Sequence, residues 1–202
     1  MNEIISNIIK NVLTALYQPF GAAVLFALVS MFVYIYAKEH NWKKKELVKS
    51  ICSTWFAYFK NNGEFRRTLV LMFYSAMILS RTVLYRSIWT NPLSDVMGGW
   101  GLHDVKGDLT TEAIENLMLF IPFAVLLLWA FRKELLGDKP GLKKTLWAAT
   151  KTVGIFSFVI EFSQLLFHLG TFQISDLVYN TLGGTIGGLV YYIIYKFRHR
   201  KE

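Results

Sequence analysis

Residues 161–195 read EFSQLLFHLGTFQISDLVYNTLGGTIGGLVYYIIY. Two apolar runs meet at the Gly170 turn, and both carry groups that lipid excludes: Glu161, Gln164 and His168 before the turn, Asp176 and Asn180 after it. Ionisable side chains inside a membrane span are costly and face other protein, so by default they mark a working site. The spacing gives each run a defined face. Glu161, Gln164 and His168 stand at i, i+3 and i+7, and Asp176, Asn180 and Gly184 at i, i+4 and i+8, which is one stripe on each of two helices turned toward a bundle interior.

The rest of the chain agrees with a membrane setting. Its 202 residues are 53% hydrophobic and 16% aromatic with 4 Pro, too apolar for a soluble domain of this size. A span needs roughly 20 predominantly apolar residues, and five segments qualify: 19–37, 68–85, 113–131, 145–169 and 177–195. The expected fold is therefore all-α, a polytopic membrane helix bundle of about five transmembrane helices. The first run lacks a basic flank before it and a small-residue cleavage site after it, so it reads as an uncleaved span. Cys52 is the single cysteine, which excludes an intramolecular disulfide and a thiolate metal site within the chain. No phosphate-loop, dinucleotide or zinc motif is present, and neither a metal nor a cofactor is expected.

Basic loops stay cytoplasmic. Residues 38–67, 132–144 and 196–202 carry net charges of +5, +3 and +3, whereas residues 86–112 carry −2. The five spans then alternate with the N-terminus outside and the C-terminus in the cytoplasm of a bacterial cell. Trp129, Trp147 and Tyr195 fall at inner ends, Tyr85 and Trp89 at an outer end. This bias accounts for the basic net charge without nucleic-acid binding. Two segments look interfacial. Ile4, Ile5, Ile8, Ile9, Val12, Leu13 and Leu16 recur at helical spacing over residues 3–17, and Leu47, Val48, Ile51, Cys52, Trp55 and Phe59 do so after Lys43–Lys45.

With that orientation the unusual polar residues share one leaflet. Glu161 lies roughly 25 Å along a helix from Lys144. Arg81 reaches a similar height, Glu115 and Asn116 open the third span, and Asp176 and Asn180 open the fifth. Gly183/Gly187 and Gly184/Gly188 are small-xxx-small pairs that admit a neighbouring backbone. Pro122 should bend its helix and free the carbonyl of Met118. Plainer roles compete at every position: amides as interhelical glue for Asn116, Gln164 and Asn180, dipole-complementing acids for Glu115 and Asp176, an interfacial His168, and an Arg81 that snorkels or pairs with Glu161 or Asp176. What favours a site is that several helices bring acids and amides to one depth.

At these residues the chain resembles the VanZ-like family of small membrane proteins. The matching blocks are Glu115-Asn116 followed by an apolar run to Phe120-Ile-Pro122-Phe, then Glu161-Phe-Ser-Gln164, then Asp176-Leu-Val-Tyr-Asn180-Thr-Leu-Gly183-Gly184. They cover about residues 68–195, which suggests an N-terminal part (1–67) added to a membrane domain (68–202). Many members carry an acid where this chain has Gln173, so a second carboxylate on that turn would come from Glu161 or Glu115. The resemblance implies low-level resistance to teicoplanin and related lipid-tailed glycopeptides. From the residues, the expected partners are membrane lipids and an amphiphile: a lipid headgroup, a cell-wall lipid precursor or the acylated antibiotic. Two other functions stay open, an intramembrane enzyme with Glu161, Asp176 and His168 as acid/base groups, and a lipid transporter.

Overall fold

The computed structural model describes residues 2–17, 20–39, 47–84, 86, 89–102 and 109–198. Among these, eight α-helices and no extended strand occur: α1 (Asn2–Tyr17), α2 (Phe20–Lys38), α3 (Leu47–Asn61), α4 (Gly63–Leu79), α5 (Glu112–Ala130), α6 (Arg132–Leu136), α7 (Leu142–Phe167) and α8 (Ile174–Arg198). The all-α expectation holds. The count of five spans is met only in part: among the described residues three helices, α5, α7 and α8, are long and apolar enough to cross a membrane. At α4 the reason is local. Asn62 caps α4 by accepting the N–H groups of Glu64 and Phe65, which starts the helix with Arg66 and Arg67 near its head. At its other end α4 gives way to a π-turn over residues 80–84, so the described part of the segment read as one span at 68–85 is the latter part of a 17-residue helix followed by that turn. α2 is itself 19 residues long, with Ala22–Tyr36 as its described apolar stretch, and Pro19 lies outside the described residues.

The core is built around α8, which packs along α5 on one side and α7 on the other. Two stripes of glycine make this possible. A Cβ on Gly183 or Gly187 would strike the carbonyls of Leu117 and Ile121 in α5, and one on Gly184 or Gly188 would strike Val153 and Ala149 in α7. Numbers rise together in the first contact and oppositely in the second, so α8 runs parallel to α5 and antiparallel to α7. Phe123 and Phe156 stack at 4.7 Å between α5 and α7. The Thr150 and Thr185 hydroxyls meet at 2.8 Å between α7 and α8. Outside this core α2 packs antiparallel to α4, Ala23 against Ala76 and Met77 at one end and Met31 and Ile35 against Phe65 at the other.

The two interfacial segments form helices. α1 turns Ile5, Ile9 and Leu13 outward and touches the bundle through Asn11, whose amide donates to the Thr111 hydroxyl at 3.0 Å. α3 folds back onto α4, with Trp55 stacked on Phe59 and edge-on to Phe65; Phe56 stays exposed. Lys43–Lys45 and Tyr85 lie outside the described residues.

Candidate functional site

The acids and amides singled out in the sequence gather at one end of the bundle. Arg81, in the π-turn, donates to the Glu115 carboxylate at 2.6 Å. That carboxylate, on the first turn of α5, also receives the Thr111 hydroxyl. Thr111 in turn receives Asn11, so a polar chain runs from α1 across the head of α5 to Arg81. The sequence pointed to Glu161 or Asp176 as the partner of Arg81; the structure pairs it with Glu115 instead. The π-turn is held from α7: Gln164, 1% exposed, donates its amide to the Thr82 carbonyl at 2.7 Å. A widened turn disturbs the backbone ladder, and the neighbouring helix supplies a donor to it.

Glu161 is 2% exposed, in the interior face of α7. Its carboxylate accepts the backbone N–H of Gln173 at 2.9 Å, just before α8 begins. The Gln173 side chain donates to Asp95 at 3.2 Å, and Asp95 also accepts the Gly98 N–H. Glu161 thus seats its carboxylate at the turn where the family resemblance led to a missing acid, and Asp95 adds another from the 86–112 connection. The segment around Asp95 is strapped over the turn by backbone bonds from Phe172 to the Pro92 carbonyl and from Ile174 to the Val96 carbonyl. Gly98, at φ 67°, closes the strap; a Cβ there would collide with the buried Ser175 hydroxyl.

Asp176 is half-buried on the first turn of α8 and is hydrogen-bonded by the Asn116 side chain of α5. Arg86 lies against the turn, its Nη1 placed 3.3 Å from where a Gly170 Cβ would be. It is within electrostatic reach of both Glu161 and Asp176, which also sense each other; Arg81 and Glu112 complete the neighbours of Asp176. The result is a compact set of carboxyl groups bordered by two guanidinium groups and two amides, suited to a polar headgroup with both donors and acceptors. Among the described residues no His, Cys, Asp or Glu group is arranged to hold a metal ion.

Other expected residues sit apart from the carboxylates. Asn180 donates to the Ser157 hydroxyl at 2.9 Å, both buried, which joins α8 to α7 as interhelical glue. His168 is exposed at the C-cap of α7 in the left-handed region, with its Nδ1 3.1 Å from the Trp89 carbonyl. Pro122 and Met118 are exposed, so the carbonyl freed by the proline belongs to the outward face of α5. The Tyr74 hydroxyl bonds the adjacent Leu119 carbonyl instead. Arg86 and Asp95 were visible in the sequence only as loop charges. Nothing in their spacing ties them to a turn some 80 positions later.

A family model described as VanZ/LLP1 matches residues 2–195, reaching well beyond the three sequence blocks into the first 67 residues. The chain is 31% identical over 91 residues to Protein VanZ of Enterococcus faecium; the match covers 45% of this chain and 50% of that protein. The aligned region therefore spans about half the length of that relative. No solved structure matches. The chain belongs to the VanZ/LLP1 family.

Proposed function

We propose that this is a membrane protein of the cell envelope that confers low-level resistance to teicoplanin-type, lipid-tailed glycopeptides by binding an amphiphile at its carboxylate end. One observation carries the reading: Glu161 from α7, Asp176 from α8 and Asn116 from α5 converge with Arg86 at one end of three apolar helices. In the proposed topology α2 and α4 with its π-turn complete five spans, the N-terminus is outside, and this end lies in the outer leaflet. There the polar cluster engages a headgroup while lipid takes the acyl chain, each buried methylene contributing about 0.8 kcal/mol.

The test is expression in a susceptible host. The inhibitory concentration of teicoplanin should rise, that of vancomycin should change little, and deacylated teicoplanin should behave like vancomycin. Recovered antibiotic and cell-wall precursors should be chemically unchanged. Equal protection against acylated and deacylated drug would sink the tail-dependent reading. A second reading, chemistry on a lipid headgroup, is favoured by the closeness of Glu161 and Asp176, since paired carboxyl groups in a sheltered site suit acid/base work. His168 is not needed for it, because its ring faces the Trp89 carbonyl. A modified drug or lipid whose appearance depends on Glu161 would select that reading.

A further inference from the structure

At the end opposite the carboxylates, the head of α4, the start of α6 and the tail of α8 bring Arg67, Arg132 and Arg198 around one cavity of about 300 Å³. Trp129, Tyr191 and Tyr195 form its aromatic wall. The tandem arginines at the head of α4 have different fates. Arg66 donates to the carbonyls of Phe59 and Lys60, 2.9 Å each, and so ties α3 to α4. Arg67 lines the cavity, and its Nε is shielded from water with no hydrogen-bond partner. A buried charged donor left without an acceptor is costly unless a ligand supplies one.

Among the described residues the other two arginines form no ion pair either. Arg132 lies 5.9 Å from the centre of the Tyr195 ring, and Tyr191 is within electrostatic reach of both Arg132 and Arg67. Among the described residues the one ion pair, Arg81–Glu115, is at the far end of the bundle. Glu64 and Glu134 border an adjoining small recess with Arg67 and Arg132 but pair with neither. A cytoplasmic surplus of basic residues needs only scattered surface charges. It does not require three guanidinium groups around a cavity with an unmet donor inside.

The geometry points to a second binding site, in which Arg67, Arg132 and Arg198 hold the phosphate of an anionic amphiphile. Guanidinium forks take two phosphate oxygens at once, and Trp and Tyr rings suit the depth of a lipid's glycerol region. The phosphate can belong to a membrane phospholipid or arrive as the free ion, and the two are separable. The full chain, purified in neutral detergent, is titrated with phosphatidylglycerol, phosphatidylcholine or inorganic phosphate while its unfolding temperature is followed. Phosphatidylglycerol should raise that temperature saturably and phosphatidylcholine should not. Half-saturation should weaken about tenfold in Arg67→Gln and in Arg132→Gln, with Arg132→Lys between. Stabilisation by inorganic phosphate at similar concentrations would assign the site to the ion itself, and its absence would assign it to the lipid. Should Arg67→Gln not fold, Arg198→Gln, on the exposed last turn of α8, gives the same reading. Equal stabilisation by both lipids, or unchanged half-saturation in the variants, overturns the proposal.

Discussion

Glu115 has two jobs, accepting Arg81 and accepting Thr111, and replacing it separates structure from function. Glu115→Gln keeps the shape but leaves Arg81 without its counter-charge, a loss of about 1–3 kcal/mol. The lower part of that range is expected, because Arg81 keeps 29% of its side chain exposed. Thermal unfolding in detergent should show it, and the double exchange Arg81→Gln with Glu115→Gln should recover part of the loss. Asp176→Asn and Glu161→Gln remove charge from groups whose partners are single amides or N–H donors. Membrane levels should stay near normal while teicoplanin protection is lost; full protection by both variants would make these acids mere helix glue. At this scale short-range spacing placed Glu161 and Gln164 on one buried face of α7 and Glu115 and Asn116 on the first turns of α5, but Asn180, four residues from Asp176, turns to Ser157 instead. It was silent on Arg86 and Asp95, whose places depend on how a long connection folds over a distant turn.

Among the helices, the apolar runs at 113–131, 145–169 and 177–195 match α5, α7 and α8 to within three residues at each end, although Lys151, Glu161 and His168 interrupt the α7 run. Hydropathy averages failed at α4, where they bridge the π-turn that presents Arg81. Gln164 fastens that turn, so Gln164→Leu, which fills space but bonds nothing, should destabilise by about 1–3 kcal/mol and weaken the Arg81–Glu115 contact. The glycine pairs were legible as close-packing devices, but not which partner each pair meets. Gly187→Leu forces a side chain into the Ile121 carbonyl, at a cost of about 1–3 kcal/mol or more, and size-exclusion chromatography should show aggregated or proteolysed protein. Leu182→Ala, on an outward position 47% exposed, should be nearly neutral in the same assay.

Across the described residues, the two ends carry opposite chemistry: carboxylates under a strapped turn at one, three arginines around a cavity at the other. In a Cys52→Ser background, cysteine at Gly99, where no side-chain atom is near, should react with an impermeant thiol reagent in intact cells. Cysteine at the exposed Asp138 should react only after lysis. The reverse pattern would move the carboxylate end to the cytoplasm and with it the proposed antibiotic contact. The wedge formed by α8 also has a consequence in time. α5 and α7 touch each other far less than each touches α8, so during synthesis they enter the bilayer as loosely associated neighbours. Asn116 waits for Asp176 and Glu161 for the turn before α8, and neither can be satisfied until the ribosome has delivered α8. Assembly is then a late, nearly all-at-once event, and chains stalled before residue 174 should be recognised by membrane quality-control proteases as unfinished.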